Sequence, residues 1–265
     1  MPGLAFHRTG TGPPLVLLHG IGMSHRAWSP VIDRLAEHFD VIAVDLPGFG
    51  ESPPLAAGVE PHPAALAAAV ATFLDDLGIM APVVAGNSLG GWVALELADI
   101  RPTASLVLIS PAGLWPGHTP LYNRISLRAT RSLARQWVEP LSRLVNHRLG
   151  RALVLRQVIG RPFRMSPDLA RTLVWDMATS SEFGAALDAV RDRHYLARPG
   201  PAVPITVAFG TRDLLLLRRS RHVEQLPPGA RLELLPGCGH VPMSDDPHAV
   251  VALITAAARR VRTVA

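Results

Sequence analysis

The chain of 265 residues contains no lysine, so all 26 of its basic residues are arginines. With the abundant alanine this reads as coding bias and not as a mark of nucleic-acid binding. Zinc-finger spacing, an RNA-binding signature and basic–aromatic tracts are also missing, so no nucleic-acid partner is expected. One cysteine, Cys238, excludes an intrachain disulfide. No apolar run approaches the roughly 18 residues of a membrane span. The opening "MPGLAFHRTG" lacks the apolar core of a secretory signal. A cytoplasmic protein is the resulting expectation. Eleven histidines form no H-x-x-x-H or clustered pattern, so neither a metal nor a cofactor is expected. Charged residues make up 18% of the chain, below the usual quarter or so.

Apolar residues make up 48% of the chain, and 22 glycines and 25 prolines punctuate it without forming a low-complexity block. That composition fits one large domain with an insertion. Short apolar runs alternate with helical patterns. The strand candidates are 14–20, 40–48, 81–88, 104–113, 204–213 and 230–240, and "LAFHRTG" (4–10) adds a short one in front. The six main runs are nearly continuously apolar, as in strands covered on both faces. Helical patterns fall at 27–38, 62–78, 89–100, 218–226 and 247–262. The alternation predicts a mostly parallel, doubly wound α/β sheet.

The alternation stops between 114 and 198. That stretch holds 14 arginines against 6 acids, a balance of +8, while the remainder holds 12 against 15. Arg124, Arg128, Arg131 and Arg135 recur at three- and four-residue spacing, with Ile125, Leu127, Leu133 and Trp137 available for an apolar face. The reading is a helical cap at 114–198, inserted after the fourth main strand. The core is then 1–113 and 199–265, with "LARPGPAVP" (196–204) as the return linker. Most of these arginines are expected to form a solvated face; inward-facing ones would attract an anionic group.

In open parallel sheets functional groups gather at the carboxyl edge. The first main strand delivers His19-Gly20-Ile21-Gly22 there, the third Ser88, the fifth Asp213 and the last His240. A serine hydroxyl needs a neighbouring base, which His240 can be. Asp213 can fix the tautomer of that imidazole. Gly86 and Gly90 around Ser88 permit a sharp strand-to-helix turn. The turn aims a helix N-terminus at the reaction centre, so the Leu89 N–H can bind an oxyanion, with the Ile21 N–H as second donor. His19 is expected to brace the oxyanion loop, Asp245 and Asp246 to cap the last helix ahead of Pro247, and Cys238 to fill buried space.

The segments "LVLLHGIG", "DLPGFGES", "GNSLGG", "FGTRD" and "GCGHVPMSDDP" resemble, in order, those of α/β-hydrolase-fold enzymes. The resemblance spans nearly the whole chain. It implies Ser88 as nucleophile, Asp213 as acid and His240 as base, with Ile21 and Leu89 as backbone oxyanion donors. "SPAG" after the fourth main strand holds no acid, which favours Asp213 over the family's alternative position. Family members usually carry a hairpin before the first main strand. Only 13 residues are available for it here, so one strand is expected to be missing or very short.

A serine at position 88 disfavours the aspartate-nucleophile branches, haloalkane dehalogenases and epoxide hydrolases. It points to acyl transfer to water on a small, largely apolar carboxylic ester or related acyl compound. "GNSLGG" also resembles C–C hydrolases of ring-cleavage diketones. Those usually have a glycine-proline-glycine loop after the His-Gly pair and a tryptophan after the catalytic histidine. This chain has "HGIGMSHRAW" and Val241 instead. A third reading is a small-molecule receptor on the same fold with little turnover. The expected pocket wall is Met23, Trp28, Leu114, Trp115, Trp137, Leu214 and Val241.

Overall fold

A computed structural model describes residues 3–197 and 203–264. The middle of the expected return linker, and the 198/199 boundary drawn there, lie outside the described residues. Seven strands form one sheet: β1 (Phe6–Thr9), β2 (Pro14–Leu18), β3 (Asp40–Val44), β4 (Val83–Asn87), β5 (Ser105–Ile109), β6 (Ile205–Gly210) and β7 (Arg231–Leu235). Their spatial order is β1-β3-β2-β4-β5-β6-β7. Only β1 runs antiparallel, paired with β3. It is the single strand preceding β2 among the described residues, in line with the shortened front.

Alternate residues of the central strands feed two cores. Val16, Leu18, Val84, Leu106 and Leu108 face α2 (Pro63–Asp76) and α3 (Leu89–Ile100). Leu15, Leu17, Ala85, Val107 and Ile109 face α1 (Ser29–Ala36) and α9 (Pro247–Val264). Both faces are covered, which is why these strands read as unbroken apolar runs. The edge strand β7 departs from that expectation. Its residues 231, 232 and 234 are exposed, because only β6 flanks it.

The helix expected at 218–226 does not form. The segment makes two short 3-10 turns, Arg218–Ser220 and Val223–Gln225. The His222 N–H donates to Leu114 O instead of to its own helix, and Pro227 disfavours a helical residue before it.

Between β5 and β6 the chain forms α4 (Leu121–Gln136), α5 (Val138–Leu144), α6 (Arg148–Leu155), α7 (Pro167–Thr179) and α8 (Phe183–Ala189). The apolar face expected on α4 is only partly buried. Asn123 and Ala134 are the buried residues, whereas Ile125 and Leu133, and Trp137 just past its end, are exposed. Several arginines here serve the fold. Arg131 donates to the carbonyls of Met177, Ala178 and Ser180 at the end of α7, where a cation also suits the helix dipole. Buried Arg151 donates to the Val145 and Asn146 carbonyls.

Candidate active site

The chain turns outward from β2 to β3 and, on the other side, to β4. The carboxyl ends of neighbouring β2 and β4 therefore form the switch point where open α/β sheets bind ligands. Ser88 sits there, at φ 54° and ψ −115°. A non-glycine residue at positive φ is strained and holds only where its surroundings enforce it. They do so by close packing. A Cβ on Gly86 would lie 2.2 Å from Gly90 O, and one on Gly90 would lie 2.3 Å from Leu18 O. Only glycine allows β4, the turn and α3 to approach this closely.

Asp213 follows β6 and is buried. Its Oδ1 accepts from the N–H groups of Leu215 (2.9 Å) and Leu216 (2.8 Å). Its Oδ2 lies 2.9 Å from His240 Nδ1. Arg221, stacked 4.8 Å over the Phe209 ring, places its guanidinium 3.7 Å from the same oxygen. Burial alone would push the carboxyl up. The His240 ring, the Leu216 N–H and Arg221 outweigh it and hold Asp213 below its ordinary value. His240 Nε2 is buried and has no hydrogen-bond partner among the described residues. It opens, with Ser88, into one cavity also lined by Ile21 and Leu89. Neither the Ile21 nor the Leu89 N–H has a protein acceptor among the described residues.

His19 is fully buried, and burial pushes its pKa down. The neutral ring bridges two loops: Nδ1–H donates to Gly20 O (2.8 Å) and Nε2 accepts from the Leu46 N–H (3.0 Å). Further polar side chains hold these loops and the main chain beside them. Asp45 accepts from the His25 N–H (2.6 Å) and the Glu51 N–H (2.9 Å). Ser24, in the turn after Ile21, donates to Asp176 of α7 at 2.5 Å. Asn87 donates from Nδ2 to Ile109 O (3.0 Å) and to His240 O (2.9 Å), fixing the main chain under the imidazole.

Asp246 caps α9 as expected, accepting from the Ala249 N–H at 3.1 Å. Asp245 does something else. Its carboxylate accepts from the N–H groups of Gly160 (2.8 Å), Arg161 (2.5 Å) and Gly239 (2.7 Å), tying the loop after α6 to the His240 loop. Cys238 is buried, and its thiol is pushed up to about 11, first by burial and then by the Asp245 charge. It is a poor nucleophile at neutral pH.

The expected pocket wall is largely corrected. Of its seven residues only Trp115 lines the cavity holding Ser88. Trp28, Leu114 and Val241 are buried in the two cores. Trp137 and Leu214 are exposed, and Met23 lines a separate chamber. Being close in sequence to a strand end does not fix which way a side chain points. The actual wall includes Thr119, Asn123, Leu127, Leu187 and Val190 from the segment between β5 and β6, and Leu215 and Leu216 after Asp213. No group of three or more potential metal ligands occurs among the described residues. No helix among them is long and apolar enough to cross a membrane.

A family model described as the alpha/beta hydrolase family matches residues 15–253. An uncharacterised protein of Mycobacterium tuberculosis is 32% identical over 263 residues, spanning 92% of this chain and 74% of that one. A pimeloyl-[acyl-carrier protein] methyl ester esterase of Nitrosomonas europaea is 29% identical over 279 residues, spanning 97% of this chain and 100% of that one. Among solved structures, a thermophilic esterase from Thermogutta terrifontis superposes with a TM-score of 0.75 at 24% identity, over 97% of this chain and 93% of that one.

Proposed function

The chain belongs to the alpha/beta hydrolase family and is a hydrolase, and from that premise we propose that Ser88, His240 and Asp213 form a triad cleaving a carboxylic ester. The observation that carries this reading is one cavity containing a strained Ser88 and an imidazole whose far nitrogen is held by a buried carboxylate. Asp213 keeps the proton of His240 on Nδ1, so Nε2 is free to take the Ser88 proton as Oγ attacks the carbonyl. The oxyanion forms against the Ile21 and Leu89 N–H groups. Each such donor is worth about 3–4 kcal/mol in acyl transfer. His240 then protonates the leaving alcohol, and water releases the acyl-enzyme by the same steps. Nε2 of His240 makes no hydrogen bond among the described residues and shares one cavity with Ser88, so it is available to the serine proton.

The segment 114–198 acts as a cap over the sheet edge. Its residues form about half of the cavity wall, and the wall is mostly apolar, which suits an apolar acyl or alkyl group. The Nitrosomonas europaea relative is named as an esterase, in agreement with this class of bond. Asn87 of "GNSLGG" uses its amide nitrogen to support the His240 main chain, a role that an ester hydrolase can use as well.

A fluorophosphonate probe tests the reading together with turnover of simple p-nitrophenyl esters. Ser88 takes the label, and Ser88→Ala loses the label and on the order of 10⁴-fold or more in kcat. Labelling elsewhere, or activity retained by Ser88→Ala, overturns the mechanism. Single labelling without multiple turnover on any acyl substrate identifies a receptor instead.

A further inference from the structure

The cavity that holds Ser88 has a volume of ≈ 40 Å³, far below the roughly 300–1,000 Å³ of ligand pockets. It can admit the reacting carbonyl and little more. A second chamber of ≈ 400 Å³ lies beside it, walled by α4, α5, α6 and α7. Leu127 of α4 lines both spaces. The turn Ile21-Gly22-Met23 spans the same partition, with Ile21 lining the small cavity and Gly22 and Met23 lining the large one. Gly22 stands at φ +71°, and a Cβ there would lie 2.8 Å from the Met177 sulfur. Leu127 and the turn Ile21-Gly22-Met23 therefore stand between the two spaces.

We infer that this chamber receives the aliphatic chain of the substrate, entered past Leu127 from the ester carbonyl at Ser88. The inference rests on the serine-hydrolase reading. The chemistry of the walls selects the occupant. Leu133, Ala134, Leu141, Val174 and Met177 present only aliphatic and thioether surface, and among the described residues no charged or aromatic side chain lines the chamber. Its two polar wall residues are bonded: Thr130 donates to Gln157 Oε1 (3.3 Å), and Gln157 Nε2 donates to Tyr122 Oη (3.4 Å). No charged group is present to neutralise an ionic ligand, and no ring face is present to stack on an aromatic one. Met23 and Met177 give walls that adjust to chain length. Leu133, Leu144 and Leu153 line the chamber and are also exposed, so its far end opens outward and admits the tip of a longer chain.

The test is the chain-length profile of kcat/KM for p-nitrophenyl esters from acetate to dodecanoate on the intact protein. Each methylene that enters the chamber raises kcat/KM about fourfold until the space is filled. Ala134→Phe fills the chamber and lowers the dodecanoate-to-acetate ratio at least tenfold. Leu153→Asp, at the exposed far end and without risk to the core, lowers the same ratio for the longest chains. A flat profile in an active wild type overturns the chamber assignment alone, as does an unchanged ratio in both variants. Silence on every ester with Ser88 unlabelled overturns the serine-hydrolase reading, and the chamber assignment with it.

Discussion

At the carboxyl edge of the sheet, a methyl group added to Gly86 would lie 2.2 Å from a carbonyl oxygen; in α8, one added to Gly184 meets nothing within 4 Å. The same contrast runs through both regions. Around Ser88 and His240 nearly every residue is buried, Asp213 itself is buried, and each loop is fixed by a named polar contact. In the segment between β5 and β6, Trp137 is 54% exposed and Leu153 77% exposed, and the helices enclose an unfilled chamber. The proposed reacting groups have to be held within a fraction of an ångström, which suits close-packed support. The substrate chain proposed for the chamber needs space and some give, and the exposed helical segment has room for both.

The sharpest way to break the comparison is to disturb the rigid side by a single atom. Asp213→Asn keeps acceptors for Leu215 and Leu216 but turns an amide N–H toward His240. The ring then carries its proton on Nε2 and cannot take one from Ser88, so kcat falls about 10⁴-fold with the fold retained. The pH dependence follows from the sign of the Asp213 shift. Its folded-state value lies below the ordinary 3.8, so between the two the native state binds fewer protons than the unfolded chain. Its contribution to stability is present above 3.8 and is lost as the pH falls through the lowered value. Denaturant titrations of wild type and Asp213→Asn should differ by a constant amount from pH 7 to about pH 5 and converge only below the carboxylate range. A difference that shrinks already between pH 7 and 5 would place the carboxylate in a looser environment than the one described.

Asp245→Ala probes the seam between the regions. Two buried N–H groups, of Gly160 and Gly239, and the half-buried one of Arg161 lose their acceptor. The expected cost is about 3 kcal/mol or more, or on the order of 10 °C in melting temperature for a chain of this size. The Val241 N–H, which donates to Val158 O at 2.9 Å, shares the seam. Activity on long-chain esters should therefore fall further than the loss of folded protein explains. A melting temperature within 2 °C or so of wild type would show that the two loops hold together without the carboxylate.

The two regions also differ in how much their sequences reveal. The rigid edge leaves marks because few residue types can occupy it. Glycines at 86 and 90 are forced by backbone approach, and serine and aspartate each follow a buried apolar strand, with the histidine after the last strand. The helical segment leaves weaker marks. Arg131 and Arg151 look like surface charge in a periodic pattern, yet they bond main-chain carbonyls at helix ends. Leu127, Ala134 and Met177 are ordinary core residues by type, and nothing in their spacing says that the space between them is unfilled. Asp245 was hidden by its neighbour, since Asp-Asp-Pro is a helix-start signature that only Asp246 uses. Trp28 and Val241 lie near strand ends in sequence, but their side chains point into the core away from the cavity.

The gentlest test lies on the loose side. Gly184 is exposed near the start of α8, has no positive φ and has open space where a Cβ would go. Gly184→Ala therefore meets no steric penalty and removes backbone freedom from the unfolded chain. The expected gain is about 0.4–1 kcal/mol, a rise of roughly 1–4 °C in melting temperature. Gly184 does not line the chamber, which predicts an unchanged chain-length profile. The matching change on the rigid side, Gly86→Ala, forces a methyl group onto Gly90 O and should cost about 1–3 kcal/mol, with loss of the Ser88 geometry. Opposite signs for one chemical substitution would quantify the difference between the regions. A fall in melting temperature for Gly184→Ala would mean that α8 is packed as tightly as the sheet edge.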